Sequence, residues 1–337
     1  MSANETLENT ADSSLNRIKF GILIAFQMPS LLTTLIIFVH FASNRAVRAT
    51  DHQHSTIFLL AISFVESLTG TSSAIDFYRS NGVVRIQTSA YCAWWVVNDY
   101  SLFSSIAFVM AWISIERHLL IFHRNLLGDI GTWKRWFTHV APWIICPMFP
   151  ILFYTVVIAI SPMCTTTWYF DTILCGQACY LTTSWASIDI FLNVVATISV
   201  ILIANLTLIL RVIHQRRTVR GTTQVDWRKQ RKMVLQLSAF STLYLSVWLP
   251  LSSIQLIQLY ADPTFLAAQV DTFNFLAYVG ILLLPGVCIT SIPQLSQRIR
   301  NLFRRRHQRA IAPLAQTQRK TRNADEGLEI AAVTTKV

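Results

Sequence analysis

The sequence predicts an all-α membrane protein: a seven-transmembrane helix bundle with a short amphipathic interfacial helix after the seventh span. Three observations carry this. Of the 337 residues, 53% are hydrophobic and only 13% charged, about half the roughly 25% charged share of a soluble domain and too little to clothe a soluble surface. Seven apolar runs, at 20–42, 55–78, 89–115, 137–160, 186–210, 233–259 and 273–293, each reach the length of about 20 residues that crosses hydrocarbon. With the N-terminus outside, 24 of the 28 Lys and Arg fall on the inner side, as the positive-inside rule asks. The aromatic share of 12% excludes disorder for most of the chain.

The runs are continuous rather than alternating, so they read as helices whose backbone bonds close within each segment, not as barrel strands. Residues 1–17 are polar, with Glu5, Glu8 and Asp12, and read as an extracellular N-terminal tail rather than a signal peptide. Asn4-Glu5-Thr6 is a glycosylation sequon on that side. Spans 1, 4, 5, 6 and 7 are strongly apolar. Span 2 is diluted by Ser, Thr and Glu66, and span 3 by Asn98, Asp99 and several serines. Diluted spans face a bundle interior or a water-filled cavity.

The outer segments hold Arg17, Lys19, Arg79 and Arg85. The inner ones hold two basic residues in 43–53, four in 117–139, eight in 211–232 and ten after 293. This expects an N-out, C-in orientation. It also assigns the net charge of +11 to the bilayer as partner, with no nucleic acid. Beyond span 7, Leu295, Ile299, Leu302 and Phe303 recur at helical spacing among Arg298, Arg300 and Arg304–Arg306. They read as an interfacial helix on anionic lipid, the alternative being a solvated basic tail. Residues 18–307 form the helical domain, and 308–337 are expected to be a disordered cytoplasmic tail.

Motifs within the spans narrow the class. Glu116-Arg117-His118 stands at the inner end of span 3, and Cys92 stands near the start of the same run. At a rise of about 1.5 Å per residue, that spacing sets the cysteine at the outer end and the arginine at the inner end of one helix. Val247-Trp248-Leu249-Pro250 lies within span 6, and Leu60–Glu66 ends in an acid within span 2. In order and spacing the chain resembles the rhodopsin-like G-protein-coupled receptors. Glu116-Arg117-His118 is similar to that family's Asp/Glu-Arg-Tyr triplet, and Val247–Pro250 to its Cys-Trp-x-Pro. Glu66 stands where most members have Asp. The resemblance covers roughly residues 18–307.

The departures mark a divergent member. Span 1 lacks the family's Asn, span 5 its Pro and Tyr, and span 7 its Asn-Pro-x-x-Tyr. Pro293 and Pro285 both compete for the place of the family proline; the spacing to Phe303 favours Pro293. Gln230 stands where many members carry an acid that holds the arginine, so the resemblance implies no such ionic link here.

The resemblance implies a plasma-membrane receptor that binds an extracellular ligand, a peptide or an amine, and activates a heterotrimeric G protein. It makes Glu116, Arg117 and His118 the switch, against the bland reading of an interfacial anchor. It makes Pro250 a hinge in span 6, since proline removes a helix hydrogen bond. Beside it Trp248 couples pocket filling to the swing, or simply packs. Asp99, seven positions after Cys92, lines the ligand pocket and pairs with a cation, or is satisfied by a neighbouring Tyr or water. Trp95 and Tyr100 offer cation–π contacts, and Ser252 follows the hinge. By the family pattern Cys92 pairs with a cysteine of the loop before span 5. Cys175 is chosen, Cys179 is the alternate, and Cys164 closes a second bridge with whichever remains. Glu66 is an ion-site candidate for Na⁺ or a proton.

Asp76 lines the pocket mouth or pairs with Arg79, and Asp189 reads as interfacial. No His stands near the loop cysteines, which argues against a zinc site. No His-Glu-x-x-His, Gly-x-Ser-x-Gly or phosphate loop occurs, which leaves enzyme chemistry without a motif. No cofactor is implied, since span 7 has no lysine for a retinal Schiff base. The alternative function is a seven-helix ion- or proton-coupled transporter or channel using Glu66 and Asp99.

Overall fold

The computed structural model describes residues 3–45, 51–122, 141–160, 164–176, 178–218 and 224–291. The interfacial helix, Pro293 and the tail lie outside the described residues. So do the side chains of Asn4 and Gln230. The helical bundle corresponds to the unit Met1–Cys288.

Among the described residues no strand occurs, and seven helices are long and apolar enough to cross a membrane. They are Ser13–Ser43, His54–Arg79, Ser89–Leu119, Ala141–Ile160, Ser184–Arg211, Ser238–Tyr260 and Val270–Ile289. The first belongs to a helix that begins at Ala3, inside the segment read as a tail. Span 3 is the axis of the bundle and packs on spans 2, 4 and 5. Two-thirds of its apolar window is buried, against 11% for span 4. Its diluted composition follows from that place: serines and acids are tolerated where neighbours, not lipid, surround them.

Span 2 is not one helix. Asp51–Leu68 and Gly70–Arg79 meet at Thr69. The cause is local. The hydroxyls of Ser63, Ser67 and Thr69 donate to the carbonyls of Leu59, Ser63 and Val65, at 2.8–2.9 Å. Such back-bonding competes with the backbone ladder and bends helices. Gln27 of span 1 stabilises the break: its Nε2 donates to the Ser67 carbonyl at 2.7 Å and to Ser72 Oγ at 2.9 Å. Asn98 of span 3 donates to Thr69 Oγ1 at 2.9 Å.

Pro147 and Pro150 in span 4, Pro250 in span 6 and Pro285 in span 7 all sit inside helices. Spans 4 and 5 each contain a wide π turn, at Thr155–Ile160 and Ile190–Val195. At one end of the bundle a loop folds over the helices under two disulfides, Cys92–Cys175 and Cys164–Cys179. The Val84 N–H donates to the Phe170 carbonyl at 2.7 Å and ties the loop between spans 2 and 3 to it. Leu174 and Cys175 take left-handed backbone angles, φ 57° and 53°. That conformation is unfavourable for side-chain-bearing residues and persists because the surroundings fix it.

Between spans 6 and 7, outside the membrane segments, Thr264 donates its N–H and hydroxyl to Asp262 at 2.9 and 2.7 Å. These bonds hold the Asp262 carboxyl below its ordinary range.

Candidate functional site

Glu66 stands just before the break in span 2 and is fully buried, and Asp99 of span 3 is buried as well. A Cβ built on Gly70 would collide with both Glu66 Oε1 and Asp99 Oδ1, lying within 2.8 Å of each. A side chain at this position would push one or both carboxyls aside. Tyr278 of span 7 donates its hydroxyl to Asp99 Oδ1 at 2.7 Å. Neither oxygen of the fully buried Glu66 has a hydrogen-bond partner.

From Asp99 a row of rings leads down the bundle. Tyr278 packs edge-on against Phe103 at 5.6 Å, Phe103 against Trp248 at 5.4 Å, and Trp248 stacks on Tyr244 at 5.7 Å. Offset and edge-to-face ring pairs of this kind are favourable. Trp248 lies two positions before Pro250, so the row enters span 6 beside its proline. The expected partners of Asp99 are otherwise placed. Trp95 is fully buried against Phe77 and Tyr91. Tyr100, next to Asp99 in the chain, points to a different face and meets Tyr154 of span 4 at 5.5 Å. The Ser252 hydroxyl donates to the Leu249 carbonyl at 3.1 Å, which supplies a helix just after a proline with a local bond.

Two further clusters flank this site, and the sequence marked neither. Asp189 is buried rather than interfacial. It accepts from Tyr154 at 2.7 Å, Tyr180 at 2.8 Å and Asn193 at 2.6 Å, joining span 4, the disulfide-bearing loop and span 5. Lys19 of span 1 pairs with Asp271 of span 7, which also accepts from Tyr78 of span 2 at 2.9 Å. The Lys19 ammonium lies 5.4 Å from the Tyr78 ring centroid. Asp76 faces Arg85 at 3.3 Å, where the sequence had offered Arg79. A buried acid among tyrosines has no signature in one chain, because tyrosines scattered over separate elements converge only in the fold.

At the opposite end, Glu116 and Arg117 are both buried against span 2. The Ser55 hydroxyl donates to Glu116 Oε2 at 2.5 Å, and Arg117 Nη2 lies 3.5 Å from Thr56 Oγ1. His118 is half-buried. One turn deeper, Asn205 Nδ2 of span 5 reaches Ser241 Oγ of span 6 at 2.8 Å and Ser114 Oγ of span 3 at 3.4 Å.

The architecture is therefore that of a seven-span α-helical membrane receptor, with a disulfide-held loop over a polar, ring-lined interior. Residues 33–287 match the family model described as 7 transmembrane receptor (rhodopsin family), and the chain belongs to that family. It is a receptor of the G-protein-coupled class. Among curated proteins no match is found.

Proposed function

We propose that this protein is a cell-surface receptor of the plasma membrane, N-terminus outside, that takes a cationic extracellular ligand in its helical bundle and activates a heterotrimeric G protein. The ligand is a basic peptide or an amine. The observation that carries this is Asp99. It lies two turns below the disulfide-bonded Cys92, buried, and is held by Tyr278 at the head of the ring row that reaches Trp248. In a site poor in water a carboxylate attracts a cation strongly. Trp95, Tyr100 and Ser252 stay in the proposed ligand set, with Trp95 packed on Phe77 and Tyr91 and Tyr100 turned to Tyr154 in the ligand-free state. A ligand that repacks Phe103 and Trp248 biases the Pro250 hinge, and the equilibrium shifts toward the state it binds better. A tenfold preference corresponds to about 1.4 kcal/mol of bias.

At the inner end, Glu116, Arg117 and His118 form the switch that meets the G protein when span 6 moves away. Asn4 carries the glycan, 18–307 is the receptor domain with its interfacial helix, and 308–337 is a cytoplasmic tail. The test is a panel of amines and basic peptides, read as guanine-nucleotide exchange on a co-expressed Gα. Asp99→Asn should lower potency tenfold or more for any active compound. Unchanged potency would remove the cation role. Ion currents or flux without exchange would overturn the receptor reading in favour of a transporter.

A further inference from the structure

Two carboxyls that meet inside a low-dielectric bundle cannot both be ionised without a compensating positive charge. Glu66 Oε1 and Asp99 Oδ1 both fill the place a Cβ on Gly70 would take, and the Glu66 oxygens have no donor. Among the described residues, the titratable groups bonded to them supply no cation. Span 7 presents Tyr278, a neutral hydroxyl already given to Asp99. Span 1 presents Gln27, which is taken up by Ser67 and Ser72, while Lys19 is engaged by Asp271. On span 3, Tyr100 turns to Tyr154. No described Lys, Arg or His is hydrogen-bonded or ion-paired to either acid.

We propose that Glu66 and Asp99 together bind one proton, shared between their facing oxygens, so that the pair carries a single negative charge in the ligand-free receptor. The proton supplies the missing donor. Glu66 keeps it and donates to Asp99 Oδ1, the oxygen that also accepts from Tyr278. A small metal ion would need several more oxygen ligands than the two carboxyls, and the salt comparison below separates it from a proton. A ligand cation that pairs with Asp99 then competes with the shared proton, which ties ligand binding to proton release. That consequence rests on the ligand reading above; the proton itself does not.

The experiment needs no ligand. Infrared difference spectra are taken between wild type and Glu66→Gln in lipid nanodiscs at neutral pH, once in sodium chloride and once in choline chloride. The expected result is one un-ionised carboxylic-acid carbonyl band per receptor in wild type in both salts, absent in Glu66→Gln. Asp99→Asn should retain an acid band at a shifted frequency, because its acceptor has changed. Raising the pH of wild type alone should titrate the band away. No acid band in either salt would overturn the proposal. A band seen only in choline would overturn it too, because sodium then occupies the pair. An Asp99→Asn band identical to wild type would show that the proton is not shared.

Discussion

Asp189→Ala removes an acceptor on which three elements converge. Tyr154, Tyr180 and Asn193 donate to it at 2.6–2.8 Å inside the bundle. Truncation takes this acceptor from the Tyr180 hydroxyl and leaves Asn193 only the Tyr154 oxygen at 3.4 Å, while Tyr154 keeps Ser104 Oγ at 3.1 Å. Hydrogen bonds between membrane helices average about 0.6 kcal/mol, and bonds to a charged group reach about 1.5 kcal/mol or more. Three such bonds give an expected loss of about 2–4 kcal/mol. Asp189→Asn keeps one acceptor oxygen and should lose less than half of that. The chain provides its own reporter, because Cys288 is a buried free thiol. With Cys146 replaced by Ser, a thiol-reactive dye reads unfolding as Cys288 becomes accessible. Asp189→Ala should melt well below wild type, with Asp189→Asn between. If Asp189→Ala melts with wild type, the cluster does not hold the loop and spans 4 and 5 together.

Two more outcomes follow from single contacts. Asn205→Leu removes the bonds by which span 5 holds Ser241 of span 6 and Ser114 of span 3; at about 0.6 kcal/mol for the one contact that reaches span 6, ligand-free nucleotide exchange should rise up to about threefold. Exchange equal to wild type would show that the contact does not restrain span 6. Tyr278→Phe keeps the ring against Phe103 and removes the donor to Asp99; it should cost about 1–2 kcal/mol of stability, read in the same thiol assay, and a variant that melts with wild type would contradict it.

The spans were legible because a long unbroken apolar run has one physical use in a bilayer. The disulfide partner of Cys92 came from the family pattern, and the fold forms that bond. The meeting of Glu66 with Asp99 was not legible. It shows only in the fold, at Gly70 beside the break at Thr69, where both carboxyls fill the place of a Cβ; the hydroxyls around that break read in the sequence only as polar dilution. Asp189 misled for a similar reason: an acid near the end of a span looks interfacial until Tyr154 and Tyr180 arrive from elsewhere. Lys19 counted only as one outer charge, because its partner Asp271 stands in the last span, far along the chain. Spacing along one helix is fixed by the constant rise per residue, whereas contacts between helices depend on kinks and rotations that no single segment encodes.

Central to the receptor reading is Arg117, a contact that is released from span 2 and received by a G protein. Its most direct test is guanine-nucleotide exchange on co-expressed Gα by Arg117→Ala, at surface levels matched to wild type. Exchange should fall at least tenfold for any compound that activates wild type. Coupling at the wild-type level by a correctly delivered Arg117→Ala protein would contradict that role.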